Sequence, residues 1–389
     1  MIRRVFRFKL TPTAEQESKF QQFVGVTRLV YNLAFEQRRD WWRQYLANTG
    51  GQLNYVSQSR QVTQLRAGTP WIAEVPSSCL TQALRDLDKA YANFFSGRSG
   101  YPTPRKRGLN DSCRFQAKDI AVRKTNRRWG AVWIPKIGWI KFRQSREIHG
   151  SLVNATVLCD ALGWFISFVC SQPTQAPAND NPAIGIDRGI ASTLALSDGT
   201  SMSIPLAGCV EKRLRRARRI LARRKRGSAR RYKQLLRVRK LCARRKRVRY
   251  DWLHRTSTHV ARRYGTVVLE DLKIANMTAS GRGKRGLNRS ILEQGWGIFA
   301  TMLAYKLEER GGTLIKVNPA YTSQTCSDCG VIDSGSRKSQ ASFVCTSCGF
   351  ALNADHNAAI NILRRSTSDL PVEGCGYAPI EAGTSRIAA

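Results

Sequence analysis

Four cysteines in the C-terminal part of the chain have the spacing of a metal site. They form two Cys-x-x-Cys pairs about fifteen residues apart, and a glycine follows each pair. That glycine permits a tight turn whose backbone amides point at thiolate sulfur, so two turns supply four soft ligands in a tetrahedron. The alternative is a thioredoxin-like redox site, which would use a single pair at the start of a helix. We therefore expect a closed, structural Zn²⁺ site formed by Cys326, Cys329, Cys345 and Cys348.

Three acidic residues stand where metal-dependent phosphodiester hydrolysis would need them. Asp187 and Glu270 each end an apolar run that predicts a buried strand, and Asp355 lies at the start of the last predicted helix. Carboxylates in such a cluster hold two Mg²⁺ ions about 3.5–4 Å apart, of which one activates water and the other stabilises the leaving oxygen. Taken singly, each acid has a structural explanation: a turn before Gly189, a solvated strand end, or a helix cap. The hypothesis of a catalytic site therefore requires that the three acids converge at the mouth of one sheet.

The charge of the chain predicts a polyanionic partner. It has 65 Lys and Arg against 27 Asp and Glu, a formal net charge of +38, and nucleic acid fits because each neutralised phosphate releases counterions. About half of residues 211–250 are Lys or Arg, and so many like charges would destabilise helices without a polyanion. We expect nucleic-acid contacts from basic residues of this segment and of the loop near residue 282, namely Arg215, Arg216, Arg219, Arg223, Arg224, Arg244, Arg245, Arg282, Lys284 and Arg285.

The first 180 residues combine strand and helix patterns in an order that predicts a barrel interrupted by helices. Residues 2–10 alternate apolar and basic, which is typical of a half-buried strand, and residues 113–170 contain further strand patterns. Helical periodicity lies between them. We predict a β-barrel of residues 1–13 and 111–180 with a helical insert at 14–110. Within the insert, the usual amide-to-base pairing makes four residues candidates for reading bases: Tyr55, Gln58, Ser59 and Gln82.

The remainder of the chain predicts a second α+β domain that carries two insertions. A polar, proline-rich segment ends the first part near residue 180, and buried-strand patterns then recur at 183–187, 266–270 and 313–317. The predicted organisation is an α+β domain at 181–320 and 351–366, a basic helical hairpin within it at 211–262, a zinc ribbon at 321–350, and a disordered tail at 367–389.

The sequence motifs around the acids and cysteines resemble those of the transposon-encoded TnpB (OrfB) family. The opening strand, the Leu10-Thr11-Pro12-Thr13 segment and the helix with Tyr31-Asn32 are similar as well, so the resemblance spans nearly the whole chain in the expected order. The motifs are IGIDRG at 184–189, LEDL at 269–272, YTSQTCSDCG at 321–330 and NADHNAAINI at 353–362.

The resemblance implies an RNA-guided DNA endonuclease related to type V CRISPR effectors. The nuclease domain of the family is RuvC-like with the RNase H fold, and its Asp, Glu and Asp match Asp187, Glu270 and Asp355. A zinc ribbon inserted before the last helix of that domain matches the four cysteines, and a wedge-type barrel with a helical recognition insert matches residues 1–180. The guide is an RNA from the transposon end, and the protein reads a short duplex motif beside the double-stranded target. Some members carry an additional acid where this chain has Asn353.

Alternatives remain open at this point. Some relatives have lost the acids and act as guide-directed DNA-binding repressors. RNase H-like acid sites also perform strand transfer, so a transposase is a second alternative. A zinc-ribbon translation factor would leave the order of the acids unexplained.

The ends and apolar segments of the chain bear on its location. No apolar run reaches the roughly twenty residues that a membrane span needs, and the charged start MIRRVFRFKL lacks the apolar core of a secretory signal. We expect a cytoplasmic prokaryotic protein, monomeric and associated with the nucleoid when acting, whose remaining cysteines are reduced.

Overall fold

The computed structural model of the protein describes residues 2–44, 53–109, 111–173, 177–205, 208–280 and 283–368. The helical spacing of apolar residues predicts that the first helix ends near Leu46. That end lies outside the described residues, as do the predicted contact residue Arg282 and the tail beyond residue 368. The chain forms two compact units, Met1–Thr174 with Cys209–Arg245, and Gln175–Gly208 with Lys246–Ala389. Within the described part of the chain, no helix is long and apolar enough to cross a membrane.

The first unit contains a seven-stranded antiparallel sheet with the order β2-β6-β7-β1-β5-β4-β3. Its alternating burial follows from apolar residues at every second position, as in β1, where Phe6, Phe8 and Leu10 point into the core. The strands are β1 (Ile2–Thr11), β2 (Ser112–Gln116), β3 (Ala121–Lys124), β4 (Trp129–Ile134), β5 (Gly138–Arg143), β6 (Ser151–Asp160) and β7 (Gly163–Gln172).

The predicted barrel is not closed. Strands β2 and β3 are the two ends of the sheet order, and within the described residues they pair with β6 and β4 respectively and not with each other. All four residues of β3 are exposed, so this strand has no apolar face that would be buried by pairing with β2. The N-terminal part is therefore a sheet with two edges.

Helices cover the core of the first unit. Gln16 follows Thr13 by three residues, a spacing that predicts a capping pair at the start of the first helix. The structure has this pair, because Thr13 and Gln16 each accept a hydrogen bond from the other's backbone amide, at 3.3 and 3.1 Å. Buried side chains of this helix, such as Phe20 and Phe23, pack in one core with Phe142 and Phe168 of the sheet. The helices are α1 (Ala14–Gln44), α2 (Tyr55–Gly68), α3 (Pro70–Ala73) and α4 (Ser77–Phe95).

The basic segment forms the predicted helical hairpin. Helix α5 (Gly208–Ala222) and helix α6 (Ala229–Arg263) are separated at the predicted break, where Gly227 has a φ of 83°. A small apolar cluster joins the two helices, and its buried members are Leu214, Ala217, Val238 and Leu241. We call α5 with the first part of α6, up to Arg245, the basic hairpin.

The second unit is built on a mixed five-stranded sheet with the order β10-β9-β8-β11-β12. The central strands β8, β11 and β12 are parallel, whereas β9 and β10 run antiparallel. The central strands are near-continuous apolar runs because helices cover both faces of the sheet. The strands are β8 (Ala183–Asp187), β9 (Leu194–Leu196), β10 (Ser201–Met202), β11 (Thr266–Glu270) and β12 (Thr313–Val317).

Helices and a small ribbon complete the second unit. The apolar periodicity of the sequence through Trp296, Phe299 and Leu303 predicts one helix. The structure has two, because Gly295 adopts a left-handed φ of 73° between them. The last helix directly follows the two-stranded ribbon. The elements are α7 (Ile274–Met277), α8 (Arg285–Gln294), α9 (Trp296–Glu308), β13 (Ser342–Val344), β14 (Ala351–Asn353) and α10 (Ala354–Ser368).

Candidate active site

Asp187 and Glu270 lie at the same edge of the second unit's sheet. Asp187 ends β8 and Glu270 ends β11, and the parallel register of these strands pairs Ile186 with Leu269. The carboxyl ends of parallel strands meet at one edge of a sheet, where ligand sites of open α/β sheets form beside a change in strand order. Such a change occurs here, because β9 and β10 extend the sheet on one side of β8, whereas β11 and β12 extend it on the other.

Asp355 reaches this edge from helix α10, which packs directly on β8. Gly185 permits the close approach, since a Cβ there would overlap the carbonyl oxygen of Ala359 and lie 2.7 Å from the backbone nitrogen of Leu363. At the start of the helix, Asp355 Oδ2 is 3.7 Å from the position that a Cβ on Gly189 would occupy. The structure thus brings the three predicted acids into one region of the second unit.

Asp355 is not the cap of its helix. Asn353 has that role, because its Oδ1 accepts hydrogen bonds from the amides of Asp355 at 3.0 Å and His356 at 3.2 Å. His356 Nε2 in turn lies 3.1 Å from the carbonyl oxygen of Ser197. The structural explanation for Asp355 is therefore wrong, and its carboxylate is available to the site.

The three carboxylates affect one another electrostatically. Burial, together with the charges of Glu270 and Asp355, raises the pKa of Asp187 to about 7. Burial also raises the pKa of Asp355, against the opposing charge of Arg337. Carboxylates that resist ionisation because they are buried near like charges are expected where a cation is to bind.

Arg337 ties the segment between the cysteine pairs to this site. Its Nη2 lies 3.5 Å from Asp355 Oδ1, and the two side chains are 31% and 16% exposed. The carboxylates are less tightly gathered than the thiols: in the described part of the chain, the cysteine cluster alone has three or more potential ligand atoms within 4.8 Å of one another.

Glu270 is held by two residues of the same unit. Thr322 Oγ1 donates a hydrogen bond to Glu270 Oε1 at 2.5 Å, and Arg188 Nη2 donates to the carbonyl oxygen of Glu270 at 2.5 Å. All three residues are less than a tenth exposed, and burial lowers the pKa of Arg188. The preceding Tyr321 has a φ of 63° and is exposed. Thr322 therefore fixes the orientation of the Glu270 carboxylate, and Arg188 connects the ends of β8 and β11.

A groove opens at the end of β11, directly after Glu270. It has a volume of about 620 Å³ and is lined mainly by residues that follow β11 and end β12. Lys316 Nζ lies 3.4 Å from Asp271 Oδ1 in its wall. The lining includes Asp271, Leu272, Lys273, Asn276, Lys316 and Asn318.

The four cysteines form one cluster, as the sequence predicted. Their sulfur atoms all lie within 4.8 Å of one another. The amides of Asp328 and Cys348 point at the sulfurs of Cys326 and Cys345, at 3.4 and 3.5 Å. The amide of Cys348 lowers the pKa of Cys345 to about 6, which favours the thiolate that binds a metal. Four sulfurs at this spacing with amide donors fit a tetrahedral Zn²⁺ ion.

Helix α10 fastens the cysteine cluster to the acid site. Asn357 and Asn361 lie one turn apart on the helix, and their side-chain amides donate to the carbonyl oxygen of Thr325 at 2.8 and 2.7 Å. Asn357 Oδ1 also accepts the amide of Ser327, at 2.9 Å. Because Asp355 is on the same helix, these hydrogen bonds link the cysteine cluster rigidly to the third acid.

Most of the predicted nucleic-acid contact residues are exposed, as such contacts require. Arg245 differs, because its Nη1 lies 3.4 Å from Glu211 Oε1 and helps to join the two helices of the basic hairpin. Lys284 and Arg285 are exposed at the start of α8. The exposed members in the basic hairpin are Arg215, Arg216, Arg219, Arg223, Arg224 and Arg244.

One candidate base-reading residue has a structural task instead. Gln58 is 2% exposed. Its amide donates to the carbonyl oxygen of Ala34 and to Gln37 Oε1, both at 2.9 Å, and accepts from Arg38 Nε at 2.8 Å. The prediction that Gln58 reads bases is therefore wrong, because its hydrogen-bonding groups are used inside the helical layer.

Sequence reasoning did not assign Arg188, Thr322 or Arg337 to the site. Arg188 directly follows Asp187, and Thr322 lies shortly before the first cysteine pair. Both are within the motifs quoted above, so their positions in those motifs could have identified them as site residues. Arg337 lies in a polar stretch between the two cysteine pairs, and only the fold of this segment brings it to Asp355.

Comparison with known proteins places this chain in a family. Three family models match, described as "Helix-turn-helix domain" over residues 1–46, "Probable transposase" over 167–281 and "Cas12f1-like, TNB domain" over 296–362. The chain is 35% identical to "Putative RNA-guided DNA endonuclease InsQ" of Escherichia coli (strain K12), over 92% of this chain and 91% of that protein. It is 33% identical to "Putative RNA-guided DNA endonuclease" of Streptomyces pristinaespiralis, over 96% and 91%.

A solved structure shares the overall fold. The Cas12f1 chain of the Cas12f1-sgRNA-target DNA complex matches 90% of this chain and 83% of its own length, with a TM-score of 0.59 and 18% identity. Fold and site together thus define an α/β protein with the Cas12f-like arrangement and a four-cysteine cluster. The chain belongs to the TnpB (OrfB) family, in which its near full-length relatives are named as RNA-guided DNA endonucleases.

Proposed function

We propose that this protein is a transposon-encoded, RNA-guided DNA endonuclease that cuts target DNA at a single site formed by Asp187, Glu270 and Asp355. The observation that carries the proposal is that these acids lie at one sheet edge, where the charges of Glu270 and Asp355 help to raise the pKa of Asp187. The relatives named as RNA-guided DNA endonucleases support it. As part of this proposal, we assign the five-stranded sheet of the second unit to a RuvC-like domain with the RNase H fold.

Mg²⁺ is the cofactor that this set of donors favours, since hard oxygen ligands suit it. Asp187, Glu270 and Asp355 would hold the ions, and bound Mg²⁺ would activate water and stabilise the leaving oxygen. Thr322 keeps Glu270 oriented for this task. Arg337 forms a salt bridge with Asp355, and its guanidinium could also contact a phosphate oxygen of the substrate.

Zn²⁺ would be held by Cys326, Cys329, Cys345 and Cys348 and have a structural task. The four sulfurs leave no open coordination position for chemistry. The segment that carries the first cysteine pair holds the helix of Asp355 in place through hydrogen bonds with Asn357 and Asn361. The metal thus supports the active site without taking part in the reaction.

The partners would be a guide RNA from the transposon end and double-stranded target DNA beside a short recognition motif. Base pairing would choose the target, while basic surfaces hold the heteroduplex by its backbone. The exposed arginines of the basic hairpin, with Lys284 and Arg285, are the proposed phosphate contacts. Lys273 and Lys316 in the groove beside Glu270 would contact the strand being cut. We assign residues 1–13 and 111–180 to a wedge domain, 14–110 to target recognition and 321–350 to the zinc ribbon, and expect a monomer.

The experiment compares protein purified with and without co-expressed RNA from the transposon end. A plasmid that matches the guide beside randomised flanking sequence should be cut in Mg²⁺ only by the RNA-loaded protein, and a mismatched plasmid should remain intact. Tight guide-dependent binding without products would instead indicate a repressor. Joined DNA products would indicate strand transfer. Cutting that does not depend on RNA would overturn the proposal.

A further inference from the structure

Three tryptophans share the outer face of one part of the first unit's sheet. Trp133 and Trp139 are 39% and 42% exposed, although tryptophan is highly buried on average in folded proteins. Trp129 lies on the same strand as Trp133, two pleats away. We call the outer face of β3, β4 and β5 the tryptophan face, formed by Arg123, Trp129, Trp133, Trp139, Lys141 and Arg143.

The strand register places these side chains together. Trp133 is opposite Trp139, and Trp129 is opposite Arg143, so each pair points to the same side of the sheet. The guanidinium carbon of Arg123 lies 4.1 Å from the ring centre of Trp139, and that of Arg143 lies 5.9 Å from the ring centre of Trp129. The face therefore alternates flat aromatic rings with cations that lie over or beside them.

The hairpin that carries the exposed rings is held in place. Lys136 lies in the turn between β4 and β5. Its Nζ donates to the carbonyl oxygen of Ala73 at 2.7 Å, and its own carbonyl oxygen accepts a hydrogen bond from Lys19 Nζ at 3.1 Å. Gln16 Nε2 donates to the carbonyl oxygen of Trp139, at 3.1 Å. The rings are thus exposed on a fixed scaffold, which lowers the entropic cost of binding a flat ligand.

The charge of this region selects the kind of ligand. Residues 121–143 contain seven Lys or Arg and no Asp or Glu. The next strand continues the basic face, because Lys9 is opposite Arg143 in the register of β1 with β5. An apolar protein surface would leave these cations without partners. A ligand with flat rings and regularly spaced negative charges matches both properties, and single-stranded nucleic acid has both.

We propose that the tryptophan face binds an unpaired segment of RNA. Bases stack on Trp133 and Trp139, while Arg123, Lys141 and Arg143 contact the phosphates. Sheets that display aromatic rings are a general means of binding unpaired RNA bases. The assignment to RNA, as opposed to another single strand, rests on the proposed function, in which RNA is the resident partner.

The test measures binding of a fluorescein-labelled, unstructured RNA of about ten nucleotides to the full chain by anisotropy. Salt of about 0.3 M suppresses the phosphate contacts of other basic surfaces and leaves stacking. Each lost stacking ring should weaken binding about ten-fold, so the Trp133→Ala/Trp139→Ala double variant should bind about 100-fold more weakly. Trp42→Ala, which removes a tryptophan that is 55% exposed on α1, is the matched control and should bind as the wild type does.

Conservative variants separate stacking from apolar contact and from misfolding. Trp139→Phe should retain most of the affinity, whereas Trp139→Leu should lose as much as Trp139→Ala, with unchanged circular dichroism and melting temperature. Equal binding by the wild type and the double variant would overturn the proposal, and so would full binding by Trp139→Leu, which would indicate an apolar protein partner. Equal losses for RNA and a DNA strand of the same sequence would overturn the assignment to RNA. Since the readout is binding, failure to cut DNA would contradict the proposed function and leave the tryptophan face intact.

Discussion

Burial and two neighbouring carboxylates give Asp187 a pKa of about 7 in the metal-free protein, and this has a consequence for stability. An acid whose pKa is raised on folding keeps a proton that the unfolded chain has already released. Between pH 3.8 and about 7, the folded state therefore loses stability as the pH rises. In EDTA, we expect the melting temperature to fall from pH 5 to pH 8 more steeply for the wild type than for Asp187→Asn.

Added Mg²⁺ completes that experiment. At pH 8 it should raise the melting temperature of the wild type, because the cation binds the ionised acids of the folded state only, and should have little effect on Asp187→Asn. The same pH slope in both proteins would show that Asp187 does not carry the raised pKa.

Thr322 offers a test of how the site is held. Thr322→Val removes the hydroxyl that donates to Glu270 Oε1 while preserving the shape of the side chain. Loss of a hydrogen bond to a charged group should slow single-turnover cleavage by about ten- to 100-fold, and Thr322→Ser should restore most of the rate. If Thr322→Val cuts as fast as the wild type, Glu270 does not depend on this contact.

At the scale of residues, the sequence predicted the site residues that can be recognised from their type and spacing alone. The four cysteines and the three acids belong to this group, although the catalytic role of the acids is still a prediction. Arg337 and Thr322 could not be found in this way, because an arginine or threonine becomes part of a site only when the fold brings it to a carboxylate. Gln58 shows the reverse error, since its type fits base reading but its burial excludes it.

The contact between β8 and α10 is the element-level feature on which the acid site depends. Gly185→Ala would place a methyl group against the backbone of the helix, and we expect it to lower the free energy of unfolding by about 1–3 kcal/mol. Gly25→Ala is the control, because a Cβ there meets nothing within 4 Å. Chemical denaturation measures both. A Gly185→Ala protein as stable as Gly25→Ala would contradict the close packing.

The cysteine cluster gives a second test at this scale. Cys345→Ser should remove the bound Zn²⁺, lower the melting temperature of the second unit and slow cleavage, because α10 loses its anchor through Asn357 and Asn361. Cys209→Ser, at an exposed cysteine outside the cluster, should change neither metal content nor rate. Metal content is measured on the purified proteins by atomic emission. Retention of one Zn²⁺ by Cys345→Ser would exclude the four-cysteine site.

Periodicity predicted most helices and strands, including β11 and the basic hairpin, and failed where tertiary contacts decide. It could not show that the first sheet stays open, because closure depends on whether edge strands such as β3 have an apolar face to bury. It also joined α8 and α9 into one helix, since the left-handed conformation of Gly295 interrupts the backbone without interrupting the apolar pattern.

At the scale of the whole molecule, the two units divide the work in the proposed function. The acids and the cysteine cluster belong to the second unit. The seven-stranded sheet, the tryptophan face and most of the basic hairpin belong to the first. The net charge of +38 predicted the class of partner, but charge alone could not distinguish an RNA-binding surface from a site that cuts DNA. In the proposals made above, that distinction rests on the positions of particular carboxylates and aromatic rings.

Cleavage by an acid-site variant tests the central claim most directly. RNA-loaded wild type and RNA-loaded Asp187→Ala are mixed with a guide-matched plasmid in Mg²⁺, and linear and nicked products are measured over time. We expect the variant to retain guide-dependent DNA binding and to lose at least about 1,000-fold in cleavage rate, since the metal site loses a ligand. An Asp187→Ala protein that cuts as fast as the wild type would show that the chemistry lies elsewhere.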